Sequence, residues 1–456
     1  MNTPPSEASV GELAGLKVLL LSYFFPPLAS AGGHRTGALA RHMSRLGAEV
    51  TVITARHGID ASDPALVDKL PPEVKVVRVP SLEGATLRAK ARDRYKHEQT
   101  ESDESEATPP PPAVRRAVMA AAWSMTVARS FNPWATRKFI YGLNAKRAVR
   151  KQIKRDRPDV LLVSLGPMVQ SWAGVLGARG TGVPVVFDFR DLWTPAPEYY
   201  KNFLEYPITR PVRLIDRPIE RWTMRRADFF VANHAHMERT MNELEPHTAG
   251  RTVVVPNGFE DEDFTALPSP AAPGPVKSLR SMGTTYIGSV PPLLQAVSQL
   301  PKEIAEQLKI ELIGPYYDTH EGLESAEGSS VLDVRAPLPH KQALIEMAES
   351  DVLLFLLRDT PGIDDQIPAR LYEYLRLGKP ILALAPSGAA QELVARHGGK
   401  VIHPTDSAGL AQALTEIARG ELPGSADPSH PEIAAFERGN QALTLGRALR
   451  ELAAGR

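Results

Sequence analysis

Residues 17–54 read KVLLLSYFFPPLASAGGHRTGALARHMSRLGAEVTVIT. Val18 to Leu21 is a continuous apolar run ahead of a Pro-Pro pair, the pattern of a strand buried on both faces. Leu39, Met43 and Leu46 recur at i, i+4 and i+7, which predicts an amphipathic helix; Gly47 suits its stop, and Val50 to Thr54 reads as the next strand. Strand, glycine-rich turn, helix, strand is the opening of a doubly wound parallel sheet.

The pattern continues along the chain. VKVVRVP, DVLLVSLGP, VPVVFDFRD, DFFVANH and TVVVPNG read as further strands, and PSPAAPGP (Pro268 to Pro275) has the composition of a linker. After it a second strand–helix series starts with TTYIGS and runs through KIELIGP, VLDVRAP, DVLLFLL, KPILALAP and KVIHP. These expectations place an N-terminal α/β domain at 1–267, a C-terminal one at 276–430 and a helical tail at 431–456 that packs back across the domains, with a ligand cleft between the two domains. The acidic, proline-ended insert 97–113 reads as a disordered loop. Segment 114–157 carries Arg115, Arg116, Arg129, Arg137, Lys138, Lys146, Arg147, Arg150, Lys151, Lys154, Arg155 and Arg157 against the single acid Asp156, with Trp123, Phe131, Trp134, Phe139 and Tyr141 interleaved. That composition fits a docking surface for an anionic membrane. It also fits a solvated cationic helix or a counterweight to the acidic loop.

Composition narrows the function. The chain of 456 residues has 43% apolar and 23% charged residues, no net charge and no cysteine. Disulfides, thiol nucleophiles and Cys-ligated metals are excluded, no global field points to nucleic acid, and no spacing suggests a metal site. The polar N-terminus lacks a basic signal-peptide region, and the longest apolar run, Ala117 to Ala128, is too short to span a bilayer. A cytoplasmic protein, peripheral at the inner face of the plasma membrane, is the expectation.

Three stretches carry candidate chemistry. In IPARLYEYLRLGKPILALAP (Ile367 to Pro386), Pro368 suits the first turn of a helix that Gly378 ends. The helix opens at the C-terminal edge of the sheet, where its N-terminus and Arg370 favour a phosphate, and Glu373 can take ribose hydroxyls. The plainer reading is a surface ion pair of Glu373 with Arg370 or Arg376. Gly32 and Gly33, followed by His34 and Arg35, suit close approach of an anion, or simply a tight turn. Arg190 and Asp191 end a strand, as cleft residues or as a structural pair; His234 and His236 follow another strand end and read as hydrogen-bonded structural residues more readily than as a base.

Together these pieces resemble the family-4 glycosyltransferases of the GT-B fold, in particular those of bacterial surface-polysaccharide assembly. SYFFPPLASAGGHRTGALARHMSRLGAEVTVIT is similar to the family's glycine loop and first helix, PVVFDFRDLW to its Arg-Asp-Leu-Trp segment, RADFFVANHAHMERTM and VVVPNGFEDEDF to its closing N-domain strands, and IPARLYEYLRLGKPILA to its donor-site helix. The resemblance implies two Rossmann-like domains facing across a cleft. It also implies retaining transfer from a nucleoside-diphosphate sugar, with no metal or other cofactor, to a glycan or polyprenyl-linked acceptor. By the resemblance, Asp365, Asp191 and Arg190 would be catalytic; Gly32, Gly33, Arg35, Arg358, Pro368, Arg370, Leu371 and Glu373 would bind the donor. The family's Glu-x7-Glu pair is here Asp365-x7-Glu373, and YIGSVPPLLQA lacks the basic pair usual after the first C-domain strand. A nucleotide-sugar-binding protein without transfer, a nucleotide-sugar epimerase and a membrane adaptor are the alternatives.

Overall fold

The computed structural model describes residues 11–28, 30–56, 63–81, 137–192, 209–265, 267–268, 274–286, 289–314, 316–317, 331–360 and 363–455. The expected insert 97–113, the part of the basic segment at 114–136, Trp193 and most of the Pro-rich linker lie outside these residues. The chain forms two compact units, Ser6–Val255 with Ala442–Arg456, and Pro256–Gln441.

In the first unit, seven strands form one parallel sheet: β1 (Lys17–Ser22), β2 (Glu49–Arg56), β3 (Lys75–Pro80), β4 (Val160–Ser164), β5 (Val185–Asp188), β6 (Phe229–Ala232) and β7 (Thr252–Val254). Their order is β3-β2-β1-β4-β5-β6-β7, so the winding direction reverses between β1 and β4. The apolar runs follow from burial on both faces. Leu19 and Leu21 enter one core with Tyr141, Val149 and Ile153 of the Arg137–Asp156 helix. Val18 and Leu20 enter the other with Leu39 and Met43 of the Ala31–Arg45 helix and with Leu445 and Leu449 of the Arg438–Ala454 helix. Each fully buried Leu or Ile contributes on the order of 2 kcal/mol. Gly47, at φ 99°, ends the first helix in the left-handed region, as expected.

In the second unit, six parallel strands lie in the order β12-β10-β8-β13-β14-β15. They are β8 (Lys277–Met282), β10 (Leu308–Ile313), β12 (Leu332–Arg335), β13 (Val352–Leu356), β14 (Ile381–Leu384) and β15 (Lys400–Ile402); β9 (Thr285–Tyr286) and β11 (Tyr316–Tyr317) form a separate parallel pair. Leu353 and Phe355 face one core, Val352, Leu354 and Leu356 the other.

Three expectations change. The sheet of the second unit begins with KSLRSM, not TTYIGS, of which Thr285–Tyr286 pairs only with β11. The division between units falls after Val255, ahead of the Pro-rich stretch. Its cause is Phe259, which is buried in the second core, donates its N–H to the Phe436 carbonyl (3.2 Å) and accepts from the Arg438 N–H (3.0 Å). The tail begins as a short helix, Pro431–Ala434, and its long helix passes into the first unit from Ala442 onward.

Candidate active site

The second unit reverses its winding between β8 and β13, which pair directly. Open α/β sheets bind ligands outside the carboxyl ends of their strands at such a reversal. Arg370 spans this point. Its guanidinium donates to the Thr284 carbonyl, just beyond β8 (3.1 Å), and to the Leu356 carbonyl at the end of β13 (2.9 Å), and lies 5.3 Å from the Phe355 ring centre. Both of these acceptors are backbone carbonyls at the strand ends, which fixes the guanidinium at the crevice mouth. Gly283 and Gly314 close the adjacent strand ends, and a Cβ on Gly314 would come within 2.2 Å of the Gly283 carbonyl oxygen.

The Arg370–Leu377 helix is fixed by its buried face. Leu371 and Tyr372 are core residues, Tyr372 stacking edge-on against Phe436 at 4.9 Å. The Tyr374 hydroxyl accepts the Met282 N–H (2.9 Å), tying the helix to the end of β8. Gly378 ends the helix in the left-handed conformation (φ 63°). Pro368 lies ahead of the Ala369 N-cap, and its carbonyl accepts the Leu371 N–H (3.0 Å). The helix therefore starts two residues later than expected. Leu371, fully buried, is a packing anchor and offers no polar group to a donor.

Glu373 projects from the opposite face. It pairs with neither expected arginine: Arg376 bonds Asp261, while Glu373 accepts from Nε2 of His340 at 2.9 Å. His340 opens the His340–Glu349 helix, and its Nδ1 lies 3.8 Å from Asp263. The hydrogen bond to Glu373 raises the His340 pKa above its ordinary value; burial and Arg438 oppose this, and the charges of Glu373 and Asp263 add to it. Asp365 sits on a loop pinned by the buried Ile363 and Ile367 and by the Asp364 carbonyl, which accepts the Ala389 N–H at 2.8 Å. Arg358 follows the buried Leu357 beyond β13.

In the first unit the reversal between β1 and β4 is filled by Arg190. Its Nε donates to the Leu165 carbonyl (3.2 Å), its guanidinium lies 5.2 Å from the Phe24 ring centre, and Asn233 holds its carbonyl (3.3 Å). Gly32 leaves room for this side chain: a Cβ there would be 2.1 Å from Arg190 Nη1. Gly32 and Gly33 lie inside the first helical turn, not in a loop before it, and the Gly33 N–H is taken by the Ser30 N-cap hydroxyl (3.1 Å). Arg35 is buried and committed to Asp188 (2.8 and 3.3 Å) and to the Val255 carbonyl (2.9 Å). Asp191, partly buried, adjoins Arg190. His234 caps the Ala235–Leu244 helix, its Nδ1 accepting the Met237 N–H (3.1 Å).

The structure thus brings Arg370, Glu373 and the loops bearing Asp365 and Arg358 to one sheet edge of the second unit. In the first unit, Gly32 and Arg190 lie together, and Arg35 is withdrawn into an internal ion pair. Two residues were not foreseen, His340 and Asp188. A histidine opening a helix after a strand and the short APLP loop, and the first acid of FDFRD, are the signals each left in the sequence. Among the described residues, His397, His430 and Glu432 of the second unit are close enough to share a cation. However, Arg396 already pairs with Glu432 (2.7 Å), and His430 Nδ1 accepts the Glu432 N–H (3.2 Å).

Comparison with known proteins places this geometry. The sucrose-phosphate synthase of Thermosynechococcus elongatus superposes with a TM-score of 0.62 at 15% identity, covering 97% of this chain and 100% of that one. HepE of Anabaena, in complex with UDP and glucose, gives 0.54 at 13% identity, covering 96% and 99%. A glycosyltransferase from Rickettsia africae gives 0.53 at 12% identity, covering 96% of each. These likenesses establish the fold, α/β of the GT-B class. No curated protein matches the sequence. The model of the glycosyl transferase 4-like domain matches residues 30–258, half of the chain, and the protein belongs to that glycosyltransferase family.

Proposed function

We propose that the protein transfers a sugar, with retention of anomeric configuration and without a metal, from a nucleoside-diphosphate sugar to a glycan or polyprenyl-linked acceptor in bacterial surface-polysaccharide synthesis. The observation that carries this reading is Arg370, held by two carbonyls at the winding reversal, with Glu373 one turn along the same helix. A cation there stabilises the diphosphate as negative charge develops on it. Glu373 accepts the ribose hydroxyls, and Asp365 faces the sugar. The bond from the anomeric carbon to the phosphate oxygen breaks, the acceptor oxygen bonds that carbon on the same face, and the acceptor's proton passes to the departing phosphate. No protein nucleophile is needed. Arg190 and Asp191 are the catalytic candidates of the first unit. The UDP, glucose and UDP-glucose held by HepE support a nucleotide-sugar donor.

Association with an anionic membrane belongs to the same proposal. Arg147, Arg150, Lys151, Lys154 and Arg155 are exposed on the Arg137–Asp156 helix. Beside that helix lies a groove of about 520 Å³ lined by Leu143, Lys146, Trp172, Leu176, Ile219 and Trp222, of a size and apolarity suited to a lipid chain. Tyr141 departs from the expectation: it is fully buried against Tyr23, so this ring serves the protein core and not the membrane surface. Among the described residues no helix is long and apolar enough to cross a membrane.

Incubation with a panel of nucleoside-diphosphate sugars tests the function. Acceptor-dependent release of nucleoside diphosphate is the expected result. Conversion of donor alone would indicate an epimerase, and binding without turnover a non-catalytic protein.

A further inference from the structure

We propose that His340 is the positioning residue for Glu373 and makes nucleotide affinity depend on pH. The proposal rests on the donor-site reading of Glu373 and adds to it a second side chain and a regulatory property.

The geometry comes first. His340 reaches Glu373 from a different element, the start of the His340–Glu349 helix, and bonds one carboxylate oxygen, Oε1, at 2.9 Å. In the proposal the other oxygen takes the ligand hydroxyls. Glu373 has a flexible side chain, and a single charge-assisted bond fixes its orientation before a ligand arrives. Charge supplies the second part. His340 stands between two carboxylates, Glu373 and Asp263 on the Asp261–Phe264 turn, and the opposing cation that faces it is Arg438. With neutral His340, Glu373 and Asp263 present two negative charges toward an anionic nucleoside diphosphate. With imidazolium, one of them is neutralised and both ring nitrogens donate.

The sign follows from the raised pKa of His340. The imidazolium is fully present below the ordinary histidine value of 6.5 and is lost as pH rises through the raised value. Nucleotide affinity therefore falls with rising pH in the window above 6.5.

The test is calorimetric titration of UDP, GDP, ADP, CDP and dTDP onto wild type, His340→Ala, His340→Gln and Glu373→Gln, at about pH 6 and about pH 9. NMR titration of the His340 ring in wild type and Glu373→Gln accompanies it. At the lower pH, His340→Ala is expected to bind about tenfold more weakly than wild type, from loss of a charge-assisted bond. The difference between the two narrows at the higher pH; comparing them cancels ionisation of the nucleotide's own phosphate. His340→Gln, which keeps an N–H donor without the charge, recovers part of the affinity and loses the pH-dependent difference. Equal affinity of wild type and His340→Ala at the lower pH, with Glu373→Gln impaired, overturns the proposal while leaving the donor-site reading intact. An ordinary His340 titration, unmoved by Glu373→Gln, overturns the pair itself. Failure of wild type to bind any of the nucleotides, or full binding by Glu373→Gln, overturns the donor-site reading and the proposal with it.

Discussion

Arg35 and Arg370 each stand in the first turns of a helix that follows a buried strand, and from sequence both suit a phosphate. Their partners separate them. Arg370 bonds two backbone carbonyls at the winding reversal of the second unit. Arg35 bonds the fully buried Asp188, so its charge is cancelled inside the first unit. Arg35→Ala should therefore act on stability: it strands a buried carboxylate, at a cost of about 3–5 kcal/mol. Urea unfolding checks this. A variant of wild-type stability that has lost nucleotide binding would instead make Arg35 a donor contact. No local pattern distinguishes the two arginines, because the decisive partner, Asp188, is remote in sequence and within reach only once β5 is paired beside β4. The same holds for Glu373. Its place one turn into the donor-site helix was readable from the sequence, but its partner His340 was not.

At the level of elements, the apolar strands were readable because burial on both faces demands continuous apolar residues. Five of the seven strands of the first unit are of this kind or nearly so, while β3 and β7, at the edges of the sheet, are only partly buried. β8 was not readable. Its Ser278 and Arg280 are polar, and the groups that satisfy them, Asp351 and Glu311, come from elsewhere: Ser278 Oγ bonds Asp351 (2.9 Å) and Arg280 bonds Glu311 (2.7 Å). A strand whose polar side chains are paid for by tertiary partners has no period-two or apolar signature. The end of β8 also depends on the donor-site helix. Tyr374→Phe removes the buried acceptor of the Met282 N–H and should cost about 1–3 kcal/mol, with a lower thermal midpoint as the readout. An unchanged midpoint would mean that packing of the ring alone holds this junction.

For the molecule as a whole, two doubly wound units were evident from the paired strand–helix series, while their boundary was not. Linker composition pointed to the Pro-rich stretch, whereas Phe259 anchors the preceding segment in the second core. Membrane association is a property of this scale too. Each basic residue at an anionic surface contributes about 1 kcal/mol, so a cluster of five gives salt-sensitive binding. Flotation with anionic vesicles at low salt, lost at high salt and lost in a triple Glu substitution of Arg147, Arg150 and Lys154, is the expected outcome. Absence of flotation at low salt would exclude docking through this helix.

Donor use by the Glu373→Gln variant tests the assignment of the Arg370–Leu377 helix most directly. With a donor that the wild type turns over, kcat/KM for the variant should fall about 10- to 150-fold, the value of one charge-assisted hydrogen bond, in a protein that remains folded. Unaltered kinetics in a folded Glu373→Gln protein would contradict the assignment of this helix to the nucleotide sugar.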